Sequence, residues 1–242
     1  MTKLIGILSG KGGVGKTTLA INLTTALSLL GQDSVLIDAD LTKANVSVHL
    51  GAYRCTTTLH EVLWQQKSIQ DALYLHPSGL RFVPAGISLY HAKNTTPELI
   101  KGLPAHTKGI ATSVILDGPL GASGQLPAFL SILDELIVVT TPDLPSLSDT
   151  LRVLQEAQQH PVAIKGVVVN RAHFNAFEID QESIAAMLQV PVLSVLPEHM
   201  SLREALKKEK PLVSHDPHCE ISKAFKKLAS RVIDEEYHAI IP

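Results

Sequence analysis

The sequence predicts an α/β fold, a mostly parallel, doubly wound sheet of about seven or eight strands with helices on both faces. Three observations carry that expectation. Short apolar runs recur along the 242 residues and read as buried strands. Stretches with apolar residues three and four apart, which read as helices, alternate with them. Asp38, Asp117, Asn170 and Glu198 fall at or just past the ends of such runs, and parallel sheets gather ligands beyond the carboxyl ends of their strands.

Leu4–Leu8 is the first strand. Leu19, Ala20, Ile21, Leu23, Ala26, Leu27 and Leu30 place a helix over residues 16–30, with Gly31 as its C-terminal cap. Ser34–Asp38 is the second strand, and Leu41–Gly51 is short and amphipathic. Thr58–Trp64 and Ser68–Leu75 read as helical pieces, each opened by a hydroxyl suited to capping. Leu80–Val83 is a strand closed by the turn Pro84–Gly86. Thr96-Pro97-Glu98 opens a helix, with proline at its first position. Further strands are expected at Ser113–Leu116 running into Asp117, at Glu135–Thr140, at Lys165–Val169 before Asn170, and at Val192–Leu196 before Pro197. Ser146–His160, a segment near Glu178–Leu188, and Glu220–Glu236 have helical spacing; the last sets Ile221, Phe225, Leu228 and Val232 on one face.

Hydrophobic residues make up 45% and charged residues 18%, which excludes a disordered chain and a membrane-spanning one. One domain over residues 1–242 is expected, since no linker or repeat interrupts the pattern. A net charge of −2 argues against attraction of the whole surface to nucleic acid or anionic lipid and leaves a local patch open. The isolated Cys55 and Cys219 form neither a C-x-x-C pair nor a disulfide framework. A reducing, cytoplasmic setting follows, and Met1–Gly10, running straight into strand and loop, leaves no room for a cleavable signal.

The densest chemistry lies at Ser9–Thr18, S-G-K-G-G-V-G-K-T-T. Gly10–Thr17 satisfies G-x-x-x-x-G-K-S/T between an expected strand and an expected helix, the context that this phosphate-binding loop requires. Gly10, Gly12, Gly13 and Gly15 let the backbone curl its N–H groups around phosphate oxygens, and the helix N-terminus adds a favourable dipole. Lys16 can then reach the β- and γ-phosphates and the Thr17 hydroxyl can ligate Mg²⁺. The whole loop, including Lys11, Val14 and Thr18, is the candidate nucleotide cradle. Asp38 and Asp40, in I-D-A-D-L, and Asp117, after V-I-L, supply the carboxylates that a metal–nucleotide site needs, although aspartate also favours ordinary strand-ending turns.

The second lysine, Lys11, gives the form K-G-G-x-G-K-T-T, which resembles the deviant Walker A motif of the MinD/ParA family of ATPases. The resemblance extends through D-G-P-L-G at Asp117–Gly121, V-V-V-N-R ending at Arg171 and V-L-P-E ending at Glu198. With T-K-A-N-V-S-V-H-L-G at Thr42–Gly51 and V-P-A-G at Val83–Gly86, the chain looks most like the archaeal type of MinD.

That resemblance implies a P-loop NTPase fold, ATP and Mg²⁺ as cofactors, and slow hydrolysis of ATP to ADP and phosphate that a partner protein stimulates. It implies a homodimer with ATP, in which Lys11 touches the phosphates bound by the other subunit. Thr17, Asp38 and Asp117 would surround Mg²⁺, and Asp40 would position water, which makes Lys11, Lys16 and Asp40 the catalytic candidates. Asp38–Asn45 and Asp117–Gly121, including Pro119, would be the switch segments, with the Gly121 N–H offered to the γ-phosphate. Asn170, with Arg171, would read the adenine edge; Pro197 and Glu198 would form a second loop beside the base. The chain departs from the pattern at Gly118, where relatives carry a small hydroxyl residue or cysteine and where a more mobile loop is expected. It departs again at His199, which replaces an acid.

Other readings stay open. A ParA-like positioner would hold non-specific DNA through Arg203, Lys207, Lys208 and Lys210, whose mixed-charge surroundings also suit a solvated helix face. A scaffold would bind nucleotide with negligible turnover. A peripheral contact with the membrane surface would use Lys223, Lys226, Lys227 and Arg231 with the apolar end of the chain, although the face of Ile221, Phe225, Leu228 and Val232 suits docking on the core. His215, His218 and Cys219 are too closely spaced for a structural zinc site and read as a solvated loop. Iron–sulfur relatives are disfavoured because their cluster-ligating cysteines have no counterpart.

Overall fold

In the computed structural model, which describes residues 2–238, the apolar runs assemble into an eight-stranded sheet. The N-terminal half runs β1 (Lys3–Ser9), α1 (Lys16–Leu29), β2 (Ser34–Asp38), α2 (Val46–His49), α3 (Leu59–Leu63), β3 (Tyr74–Leu75), β4 (Arg81–Val83) and α4 (Leu89–Asn94). A 3₁₀ turn at Pro97–Gly102, with Pro97 at its start, leads into α5 (Leu103–Thr107), then β5 (Ser113–Leu120), α6 (Leu126–Leu130) and β6 (Glu135–Thr140). The remainder is α7 (Leu144–Ala157), β7 (Ala163–Ala172), α8 (Gln181–Leu188), β8 (Val192–Pro197), α9 (Met200–Lys207), α10 (Leu212–His215) and α11 (Glu220–His238).

The strand order is β3-β4-β2-β5-β1-β6-β7-β8, parallel throughout except for the antiparallel pair β3–β4. The winding reverses about β1, so the crevice at its carboxyl end is the topological switch point. Alternation within each apolar strand explains the two layers. Leu4 and Leu8 of β1 join Phe129, Leu147 and Ile184 on one face of the sheet. Ile5 and Ile7 join Leu19, Leu23 and Leu27 of α1 on the other, together with Ile221, Phe225, Leu228 and Val232 of α11. The apolar face of the last helix is therefore docked on the core, as its spacing suggested.

Helix α1 lies between the sheet and α11 and is buried on most of its circumference. Its buried hydroxyls bond within the helix: Thr24 and Thr25 donate to the carbonyls of Ala20 and Ile21, both at 2.7 Å. Gly31, at φ 85°, ends the helix in a Schellman turn, with the Gln32 N–H donating to the Leu27 carbonyl at 3.0 Å.

Three expectations change. Ser68–Leu75 is not a helix: the Ser68 hydroxyl donates to Asp71 at 2.7 Å within a turn, and Tyr74–Leu75 pairs with the open edge of β4. Strand β5 does not stop at Leu116 but carries Asp117, Gly118, Pro119 and Leu120. Proline cannot donate to a ladder, and the register with β1 accordingly slips between Ile7 and Ser9 to accommodate it. Gly118 lies inside this strand rather than in a mobile loop; a Cβ there would sit 2.6 Å from the Phe129 ring, so glycine makes room for packing. Finally, α4, α6 and α10 have no counterpart in the expected elements. Residues 239–242, part of the segment on which the membrane reading leaned, lie outside the described residues. Among the described residues, no helix is long and apolar enough to cross a membrane.

Candidate functional site

At the carboxyl end of β1 the chain turns through Gly10–Gly15 into α1. Gly13 (φ 81°) and Gly15 (φ 99°) take left-handed conformations that other residues resist, and Gly15 stands at the N-cap of α1. With no side chain capping it, the first turn leaves its N–H groups for an anion. Gly10 is needed for a different reason: a Cβ would sit 2.3 Å from the Asp149 carbonyl carbon on α7. Gly12 and Gly13 line an outer groove of the loop, and the buried Val14 turns its carbonyl inward.

Inside the loop, two functional side chains converge on Asp117. Lys16 Nζ lies 2.7 Å from Asp117 Oδ1, and the Thr17 hydroxyl donates to Oδ2 at 2.6 Å, all three residues buried. Asp38 pairs in register with Asp117 across β2 and β5, bringing a second carboxylate to the same point. Its Oδ2 accepts the N–H groups of Asn45 (2.9 Å) and Val46 (3.0 Å). Burial, and then the neighbouring Asp117, push the Asp38 carboxyl up to about 8. Its Oδ1 is buried without a hydrogen-bond partner. Two oxygen-bearing acids and a hydroxyl, one oxygen orphaned, form a hard donor set that fits Mg²⁺, which prefers oxygen ligands.

Asp40 is also buried, and its Oδ1 closes the following turn by accepting from the Thr42 N–H and hydroxyl and from the Lys43 N–H at 3.2, 2.9 and 3.0 Å. The turn that aspartate favours at strand ends and the candidate water-positioning group are thus the same residue. Pro119 is held in β5. The Gly121 N–H, expected to face a γ-phosphate, donates instead to the Ser9 carbonyl at 2.9 Å. A Cβ on Gly121 would lie 2.2 Å from Val153 of α7, so α7 packs directly against the loop.

On the opposite side of the α1 N-terminus is a cavity lined by Gly15, Thr18, Asn22, Asn170, Arg171 and Glu198, among others. Asn170 donates its side-chain N–H to the Val14 carbonyl at 2.7 Å, fastening β7 to the phosphate loop. Arg171, at φ 59°, lies 3.5 Å from Glu198, and Arg203 of α9 donates to the same carboxylate at 3.2 Å. Pro197 ends β8 opposite Ala172, and the Glu198 N–H donates to the Ala172 carbonyl at 3.0 Å, which fixes the carboxylate at the cavity. His199 accepts from the Ser201 N–H at 3.2 Å and so caps α9, the role that an acid in its place would also fill.

Lys11 stands apart. Half exposed, it lies on the outer side of the loop with its ammonium 3.8 Å from Asp143, the N-cap of α7. Sequence reasoning missed Asp143, whose signal was D-L-P ahead of a helical run. It also missed Asn22, which donates to the Thr18 carbonyl (2.8 Å) and accepts the Val213 N–H (3.1 Å), tying α10 to the cavity wall. A polar residue in the apolar face of α1 was its only trace. His215, His218 and Cys219 hold no metal constellation among the described residues. Lys208 donates to His215 at 3.3 Å, and Cys219 bonds locally to the Asp216 carbonyl.

Known proteins share this fold. Residues 5–212 match the profile of the CobQ/CobB/MinD/ParA nucleotide-binding domain. An uncharacterised ATP-binding protein of Methanocaldococcus jannaschii is 34% identical over 239 residues, 99% of this chain and 90% of that protein. The septum site-determining protein MinD of Pyrococcus horikoshii, solved with Mg-ADP, superposes with a TM-score of 0.91 at 32% identity, covering 98% of each chain. A MinC:MinD complex of Aquifex aeolicus gives 0.83 at 28% identity, covering 100% of this chain and 98% of that one. A phosphate loop at the switch point, a buried Lys–Thr–Asp cluster and a cavity beside α1 thus stand in a chain that these relatives match over nearly all its length. The chain belongs to the CobQ/CobB/MinD/ParA family of nucleotide-binding domains.

Proposed function

We propose that this single-domain chain is a MinD-like ATPase that binds Mg·ATP, dimerises with it and separates after hydrolysis, serving spatial positioning or selection of a cell-division site. The observation that carries the reading is the division of labour between two lysines of one loop. Lys16 is buried in the cradle beside Asp117, whereas Lys11 is half exposed on the outside, free of the cradle its own loop forms. The Mg-ADP and MinC complexes of the two MinD relatives support the nucleotide and a protein partner.

Asp117 binds both Lys16 and Thr17. With a triphosphate bound, Lys16 would bond to phosphate oxygens, and Thr17, Asp38 and Asp117 would hold Mg²⁺. When bound, the cation neutralises phosphate charge and orients the terminal group. Asn170, Arg171 and Glu198 line the cavity for the nucleoside. Asp40 orients a water whose oxygen bonds to the γ-phosphorus as the bond to the β–γ bridging oxygen breaks; the water proton leaves to solvent and ADP and phosphate result. Lys11 contributes to the neighbour's site, and hydrolysis stays slow until a partner protein stimulates it. Residues 38–45 and 117–121 carry the change of state, as segments held by a γ-phosphate do.

Phosphate release with Mg·ATP, compared between the wild type and Asp40→Ala, tests the catalytic half. General-base or water-positioning groups contribute roughly 10²–10⁴-fold, so a loss of that order is expected with ATP still bound. An unchanged rate removes Asp40 from the mechanism, and no measurable release from the wild type, alone or with partner, would make the chain a nucleotide-binding scaffold.

A further inference from the structure

Phe177 is 98% exposed and Phe174 71% exposed, although each carries a side chain that folding ordinarily buries. They sit in the segment after β7, and the segment is braced rather than loose. The Glu178 carboxylate accepts the N–H of His173 (2.8 and 3.0 Å) and of Phe174 (2.8 Å), and Asn175 Oδ1 accepts the N–H of Phe177 at 2.9 Å. Phe174 is also held at φ 54°, a conformation that a bulky residue rarely takes. A structure that spends a carboxylate and a strained backbone to hold two rings in water presents them to something.

Where they point decides what that is. Phe177, Glu178 and His173 line the same groove as Lys11, Gly12, Gly13 and Asp143. The Phe177 ring therefore belongs to the outer wall of the phosphate loop, the wall from which Lys11 projects. Phe174, three residues earlier in the same braced segment, lines the adjoining cavity, which shares Pro142 and Glu178 with that groove. Leu144, directly after the groove-lining Asp143, is 62% exposed and offers an apolar surface there. We propose that Phe174 and Phe177 are the apolar anchors of the nucleotide-dependent interface with a second copy of this chain, flanking each Lys11 as it enters the other subunit's site. The inference rests on the dimer reading above.

Symmetry and area favour that occupant. A two-fold interface uses the same patch on both subunits, so two rings become four. An aromatic side chain buries about 150–250 Å², and four rings supply several hundred of the roughly 1,200–2,000 Å² that a stable interface takes. The charged Lys11 and the phosphates beneath it supply the remaining specificity, and they make the association depend on nucleotide.

The test measures molar mass by analytical ultracentrifugation with Mg²⁺ and a non-hydrolysable ATP analogue. Samples are the wild type, Phe177→Ser and Phe174→Ser/Phe177→Ser, with nucleotide affinity and thermal unfolding recorded on the same material. The expected result is a dimer for the wild type, dimer affinity at least about 10-fold weaker for Phe177→Ser, and a monomer for the double variant. Nucleotide affinity measured at protein concentrations too low for dimers, and the unfolding temperature without nucleotide, should stay unchanged in both. Dimer affinity of both variants within about threefold of a dimerising wild type overturns this inference and leaves the dimer reading standing. A wild type that stays monomeric removes both. Loss of nucleotide binding in the variants also overturns it, since the rings would then belong to the nucleotide pocket. So does wild-type binding to anionic vesicles that the double variant loses while dimerising normally.

Discussion

At the scale of single residues, the site is organised by Asp117, which holds both Lys16 and Thr17. Replacing Thr17 by valine keeps the shape and removes the hydroxyl, leaving a buried carboxylate oxygen without its donor. The nucleotide-free protein should lose about 1–3 kcal/mol in urea unfolding. ATP affinity in the variant should respond less to added Mg²⁺ than in the wild type; an identical Mg²⁺ response would take Thr17 out of the cation's shell. The phosphate-loop residues were legible because their spacing is dictated by the ligand. Asn170 was legible by position but not by its bond to Val14, and Asp143 and Asn22 were invisible as partners. Their contacts, to Lys11 and Val213, join residues far apart in the chain, and only the folded topology brings them together.

At the scale of elements, apolar runs located the strands well because parallel strands are buried on both faces. Reading failed where two signals competed. D-G-P-L-G has the composition of a turn, yet β1 holds it as strand through a slipped register. Ser68–Leu75 has helical spacing, yet its last residues pair with the open edge of β4. Short helix α3 is tied to residues 38–45 through one side chain. His60 accepts the Gly86 N–H on Nδ1 (3.0 Å), so Nε2 carries the proton and donates to the Leu41 carbonyl at 3.2 Å. Burial lowers its pKa from the ordinary 6.5, so below that value the unfolded chain binds more protons than the folded one. The stability it contributes is therefore complete above pH 6.5 and is lost as pH falls through the window beneath. His76 shifts in the same direction, also by burial. Urea midpoints measured from neutral to acidic pH should decline in the wild type and decline less steeply in His60→Gln; equal slopes would show that His60 binds protons equally in the folded and unfolded states.

At the scale of the whole molecule, the sheet delivers its polar strand ends to one crevice, with two apolar layers keeping the geometry rigid behind it. Helix α7 touches that crevice at Gly10 and Gly121 and caps itself with the residue beside Lys11. One packed element thus touches both the segment that follows Asp117 and the outer groove. The central claim is that this groove closes on a second copy and that Lys11 completes the other subunit's site. Sedimentation of Lys11→Ala with Mg²⁺ and a non-hydrolysable ATP analogue tests it most directly, with nucleotide affinity measured on the same sample. The account predicts a variant that binds nucleotide and remains a monomer where the wild type is a dimer. A variant that dimerises as the wild type does would contradict it.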